Sequence, residues 1–236
     1  AKAIFGKGDK PLAAGDRIVQ KDLAKTLEAI AKNGDAGFYG GKVGDAIAAA
    51  MKDHGGDVTK DDLASYSAIV REPLEFSYRG FTIDTMPPPS MGGIAIAETL
   101  LSMERLHAEQ FPVDSAEAVH LFVESAKRAY ADRRSVGADP GFYGSAVAPD
   151  AVAKLLSPRA IAERQPAILL DKATPAKDLA VAKEGHESPE TTHFSVIDKD
   201  GMAVSCTVTL SASFGSKVVV PKTGVLFSNA LGGFSA

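Results

Sequence analysis

The sequence predicts an α+β protein. Apolar residues recur at helical spacing through most of 1–190 and change to alternation in 191–236. Two turn dipeptides, Arg79-Gly80 and Asp200-Gly201, each join a pair of short alternating runs, the mark of a β-hairpin. At 236 residues the chain has length for one large domain or two small ones. Its 26 Lys+Arg against 30 Asp+Glu give a net charge of −4, which argues against a phosphate-binding nucleic-acid surface. No apolar run approaches the roughly 20 residues of a membrane-spanning helix. Cys206 is the single cysteine, so there is neither a disulfide framework nor a thiolate metal site. Both ends read as cut from a longer chain: Ala1 opens without Met or signal peptide, and the chain stops at Ala236 just after an extended run.

The helices follow from spacing and end signals. Leu23, Leu27 and Ile30 mark one face of a helix over 20–33, with Gly34 as a left-handed stop. Val43, Ile47, Ala50 and Met51 mark a second, ended by Gly55-Gly56. Thr59 and Asp62 form an N-cap signal for a short third helix. Leu74–Tyr78 and Phe81–Asp84 form the first hairpin. Pro87-Pro88-Pro89-Ser90 then gives a loop without backbone donors, and Gly92-Gly93 frees the entry into a helix over 94–106. Asp114-x-x-Glu117 reads as a capping box for the strongest helix, with Val119, Phe122, Val123, Ala126, Ala129 and Tyr130 as its buried stripe. From 139 to 183 five prolines break the chain into short pieces, and Gly185–Glu190 is polar and exposed. With a two-residue loop at Asp200-Gly201, Thr192 faces Thr209 and Thr191 faces Leu210; a one-residue change of loop shifts this only slightly, so the pattern brings the Thr209 hydroxyl close to the Thr191-Thr192 pair. Residues 217–220 and 225–227 give two more short strands.

Read alone, most chemistry-bearing residues have ordinary explanations. Thr-Thr is a common strand start. Ser90 lacks the strand-turn-helix elbow of a serine nucleophile, so it belongs to turn geometry. Cys206 reads as a small apolar strand residue, and His193 as a satisfied polar group rather than a base. His54, His107, His120 and His186 have no metal-ligand spacing. The charge runs Lys60-Asp61-Asp62 and Lys127-Arg128 read as solvated faces.

Taken together, certain segments say more. The run Glu190-Thr191-Thr192-His193 through Asp200-Gly201, followed by Thr207-Val208-Thr209-Leu210 and Phe214-Gly215-Ser216, resembles the processing site of the γ-glutamyltranspeptidase family. Phe38-Tyr39, the Pro87-Pro88-Pro89-Ser90-x-Gly92-Gly93 loop, Ala129-Tyr130-Ala131-Asp132-Arg133 and Asp139-Pro140 are similar to that family in the same order. The resemblance implies an αββα N-terminal-nucleophile hydrolase sandwich, here incomplete. It implies self-cleavage at Glu190–Thr191, so that 1–190 is the C-terminal part of a large subunit and 191–236 the first strands of a small one. Thr191 would be the nucleophile, its freed α-amine the base, and Thr209 the hydroxyl that holds it. The implied reaction passes a γ-glutamyl group from a glutathione-like donor to water or an amine, with no cofactor and no metal. The partners implied are the γ-glutamyl substrate and the chain's own two subunits, and the location implied is periplasmic or secreted.

This sequence also departs from the family pattern. Ser211 stands where the family has Asn, which makes it a weak substrate-binding candidate. Gly232-Gly233 before Phe234 replaces an acidic pair that would hold the substrate ammonium, and Ala230 replaces a polar residue. An Arg upstream and Ser-Ser and Gly-Gly segments downstream, all expected in the family, lie outside these residues, so poor turnover is expected of the 236-residue chain alone. An acylase for other amides and a non-catalytic member are the alternatives.

Overall fold

The structure, a computed structural model, describes residues 2–8, 10–132, 136, 139, 141, 149–179 and 191–230. Two compact units divide the chain: residues 1–68 with 185–236, and residues 69–184.

The first unit holds helices Lys21–Asn33, Ala36–Tyr39, Gly41–His54 and Lys60–Ser65 and the hairpin Thr192–Ile197 with Ala203–Val208. Gly34 ends the first helix with its N–H on the Ile30 carbonyl but at φ 57°, ψ −139°, outside the left-handed helical region expected for it, while the other two end signals are in place. Gly55 caps its helix in the left-handed conformation at φ 75°. Thr59 and Asp62 close a full capping box. The core is Val43, Ile47, Ala50 and Leu63 from the helices and Val220 from the far end of the sequence. Two further contacts fasten that end to the first helix. The Thr26 hydroxyl, buried, donates to the Thr223 carbonyl at 2.9 Å. Gly224 lies directly on Leu23, where a Cβ would stand 2.8 Å from the Leu23 nitrogen. The strands expected at 217–220 and 225–227 reduce to a single bridge, Val219 with Leu226. The Thr223 hydroxyl binds the Val220 carbonyl and the Val225 N–H inside the intervening turn, so the segment is a tight turn more than a sheet.

The second unit pairs Leu74–Tyr78 with Phe81–Thr85 around Arg79 (φ 51°) and Gly80 (φ 83°), the two positive φ values of a two-residue hairpin turn. Helix Met91–Arg105 starts earlier than expected, directly after the proline loop. Gly93, in the first turn of that helix, packs against the loop: a Cβ there would lie 2.0 Å from the Met86 carbonyl oxygen. Helices Pro149–Leu155 and Pro158–Arg164 each begin on a proline, where the missing N–H costs nothing. Ile94, Val136, Val152 and Leu155 form the core.

Helix Ala116–Asp132 corrects two expectations. Its first turn is capped by the Ser115 hydroxyl, which accepts from the Ala118 N–H at 3.2 Å, so the cap falls one residue beyond Asp114. Its expected buried stripe faces outward: Val119, Phe122, Val123 and Tyr130 are 39–52% exposed, and only Ala129 of that stripe is fully buried. The buried side carries Leu121, Glu124, Ser125 and Arg128. Glu124 takes Lys127 at 2.6 Å, Arg128 at 2.8 Å and the Thr174 N–H at 3.1 Å. Arg128 also donates to the Ala167 carbonyl. Lys127-Arg128 is therefore an internal clamp on the 167–174 segment rather than a solvated face, and apolar periodicity cannot register a face buried through charges.

A second buried carboxyl behaves oppositely. Glu98 is fully buried, and burial, the adjoining Asp132 carboxylate and its charge push its pKa up to about 8, against the pull of Arg164. Arg164 Nε lies 2.6 Å from Asp132 and 3.5 Å from Glu98. Both Glu98 oxygens are buried without a hydrogen-bond partner, and a carboxyl so placed beside another carboxylate keeps its proton. In Glu124 burial also pushes upward, but hydrogen bonds from Lys127, Arg128 and Thr174 prevail and hold the pKa at about 2.

Candidate active site

The 192–208 hairpin is set by its turn. Asp198 Oδ1 accepts from the Asp200 and Met202 N–H groups at 2.8 and 2.9 Å, and the Asp198 N–H donates to the Met202 carbonyl. The loop is thus Lys199-Asp200-Gly201, three residues with Gly201 at φ 90°, and not the two-residue loop expected from Asp-Gly. The register runs from Ile197 with Ala203 to Thr192 with Val208. Thr192 therefore meets Val208, not Thr209, and Thr191 stands opposite Thr209, just beyond the last paired rung.

That shift brings the two hydroxyls together. Thr191 Oγ1 donates to Thr209 Oγ1 at 3.2 Å. Thr209 Oγ1 also accepts the Ser211 N–H at 2.9 Å. Ser211 itself adopts φ 76°, a conformation rare for serine, just after the turn in which its N–H reaches Thr209. Ser211 thus meets Thr209 through its main chain, a contact that its side-chain type does not advertise. The Leu210 carbonyl, next in sequence to Thr209, accepts the Asn229 N–H at 2.9 Å, and the Ala230 N–H donates to the Ser228 hydroxyl. Glu190, His186, Arg133, Pro140 and Gly232-Gly233-Phe234 lie outside the described residues.

Side chains alternate along a strand, so Thr191, His193 and Ser195 share one face with Ser205, Thr207 and Thr209. His193 Nδ1 lies 2.8 Å from the Thr207 hydroxyl, and Nε2 lies 2.9 Å from Ser205 and 3.4 Å from Ser195. Phe194, Val196, Val204, Val208 and half-buried Cys206 occupy the other face. The apolar members of that face are 49–59% exposed. The polar ladder was open to reading from the sequence: Thr-x-His-x-Ser against Ser-x-Thr-x-Thr is a polar alternation in both strands. Chemically, a threonine hydroxyl is a weak nucleophile that needs an adjacent base and a fixed orientation. The pair supplies the orientation.

The gamma-glutamyltranspeptidase family profile matches residues 1–236. The chain is 41% identical over 237 residues to the glutathione hydrolase proenzyme of Escherichia coli (strain K12), covering 100% of this chain and 40% of that protein. Its structure is similar to the crystal structure of Helicobacter pylori gamma-glutamyltranspeptidase, with a TM-score of 0.69 and 36% identity over 80% of this chain and 53% of that one. It is also similar to the crystal structure of cephalosporin acylase from Bacillus halodurans, with a TM-score of 0.73 and 28% identity over 99% of this chain and 40% of that one. The chain thus spans well under two thirds of the length of each.

Proposed function

The chain belongs to the gamma-glutamyltranspeptidase family, and on that premise we propose that it is the processing region of a proenzyme whose nucleophile is Thr191. The observation that carries this is the Thr191–Thr209 hydroxyl pair, held from behind by the Ser211 N–H. Thr191 Oγ attacks the Glu190 carbonyl carbon. The C–O bond forms, the C–N bond breaks, and the departing nitrogen takes the proton. Water then hydrolyses the ester, leaving a carboxylate at Glu190 and a free amine on Thr191. That amine, with a reference pKa of about 7.7–8.0, accepts the Oγ proton when Thr191 next attacks a substrate amide. The substrate's amine leaves with the proton, and water or an acceptor amine releases the acyl group from Thr191.

On this reading residues 1–190 end the large subunit and 191–236 begin the small one. The hairpin would lie in the inner layers of an αββα sandwich, which its two exposed faces support, since a two-stranded hairpin is marginal by itself. The donor is a γ-glutamyl compound of the glutathione kind, with Ser211 near the bound acyl group, and the enzyme acts in the periplasm or outside the cell. No described helix is long and apolar enough to cross a membrane.

A second reading, an acylase for other amides, is favoured by Gly232-Gly233. Those residues offer no carboxylate to a substrate ammonium, a charge-assisted contact worth about 1.5–3 kcal/mol. The test uses the full-length protein. N-terminal sequencing should find a fragment starting at Thr191, and Thr191→Ala should remain uncut. A parent chain continuous through 190–191 rejects the proposal. Release from a γ-glutamyl anilide supports the first reading, and release from a glutaryl or other acyl amide alone supports the second.

A further inference from the structure

We propose that His193 is a positioning residue for the Thr191 nucleophile: its imidazole clamps the two strands of the hairpin one same-face rung from the Thr191–Thr209 pair. The inference rests on the proenzyme reading above. Thr191 and Thr209 stand outside the backbone ladder, whose last rung is Thr192 with Val208. Strand ends fray there, and the hairpin has no buried face of its own to hold them. The nearest side-chain cross-link on the same face is His193. It reaches across to Thr207 at 2.8 Å and to Ser205 at 2.9 Å, with Ser195 at 3.4 Å on its own strand.

The geometry separates this role from that of a base. The His193 ring nitrogens are turned to the partner strand, Nδ1 to Thr207 and Nε2 to Ser205, and neither is paired with the Thr191 hydroxyl, which donates to Thr209. Both ring nitrogens already face hydroxyls. A hydroxyl both donates and accepts, so the clamp holds in either neutral tautomer and in the imidazolium. His193 therefore acts through strand geometry and not through proton transfer. The cost of losing it should appear where placement of Thr191 matters most, in the attack on the Glu190 carbonyl.

The experiment measures self-cleavage of the full-length precursor over time, beside its melting temperature. His193→Phe keeps the ring but none of its hydrogen bonds, and should slow cleavage about tenfold or more, as sub-ångström misplacement of reacting atoms does. Its melting temperature should stay at the parental value. Thr207→Val should slow cleavage in the same direction. His193→Asn, whose amide places a polar group near the position of Nδ1, should recover most of the rate. Cleavage of His193→Phe at the parental rate overturns the proposal. So does a loss that tracks the melting temperature, or a failure of His193→Asn to recover. Thr191→Ala run alongside keeps the two ideas apart. If it is cut like the parent, the nucleophile reading has failed. If it stays whole while His193→Phe is cut normally, only the clamp has failed.

Discussion

Replacing Glu98 by Gln should abolish one limb of the protein's pH-dependent stability. Glu98 is fully buried beside Asp132 and Arg164, and its carboxyl is raised from an ordinary 4.5 to about 8. Between those values the folded chain holds a proton that the unfolded chain releases. Stability is therefore greatest below the unfolded value and falls as pH rises through this window, by about 1.4 kcal/mol per pH unit at most. From about pH 5 to about pH 7 the ceiling is about 2.7 kcal/mol. The side chain of Arg164 is 27% exposed and admits water to the cluster, which lowers the observed figure below that ceiling. Glutamine keeps the volume and is neutral at every pH, so it has no proton to lose. The assay is urea unfolding followed by far-UV circular dichroism, because the sequence contains no Trp for fluorescence. The parent midpoint should fall across this range, the Glu98→Gln midpoint should stay level, and the variant should be the more stable at the alkaline end. Equal slopes in parent and variant would refute the assignment of the proton to Glu98.

Two further perturbations read the other clusters. Glu124→Gln leaves Arg128 buried without its carboxylate and should cost about 3–5 kcal/mol in the same urea assay. Because the Glu124 pKa is lowered to about 2, its contribution is present above the ordinary 4.5 and is lost as pH falls toward 2. The variant should lack that acid limb, opposite in sign to the Glu98 effect. Thr209→Val removes the acceptor of both the Thr191 hydroxyl and the Ser211 N–H. Self-cleavage should slow by roughly 10- to 100-fold, about 1–3 kcal/mol for two hydrogen bonds. Thr209→Ser should cleave close to the parental rate on a gel time course, and an uninhibited Thr209→Val would detach Thr209 from the site.

Local signals carried the sequence reading, and non-local ones escaped it. Gly55, the Thr59–Asp62 box and the Arg79-Gly80 turn each act within a few residues, so helix ends and hairpins were legible. The register of the second hairpin was missed by one residue because Asp198, outside the expected two-residue loop, captures two N–H groups and lengthens the turn. The face of helix Ala116–Asp132 was missed because charge pairing, not apolarity, buries Glu124 and Arg128. The Ser211 contact with Thr209 was not legible, since a main-chain N–H carries no residue signature. The Thr26–Thr223 bond joins residues 197 positions apart, a contact that periodicity does not encode.

That long-range bond bears on how a cut chain would stay whole. The core of the first unit draws Val43, Ile47, Ala50 and Leu63 from before residue 190 and Val220 from after it. Thr26 with Thr223, and Leu23 with Gly224, also span that point. Scission ahead of Thr191 would thus break one peptide bond while leaving burial and these contacts in place. The released amine would arise beside a hydroxyl already aligned by Thr209 and Ser211. A nucleophile of this kind needs a free terminus inside an ordered structure, and termini are where order is usually poorest. Producing the terminus by cutting a chain already anchored on both sides resolves that conflict, and places the structural demand on the short segment from Thr209 to Gly224 rather than on the cut itself.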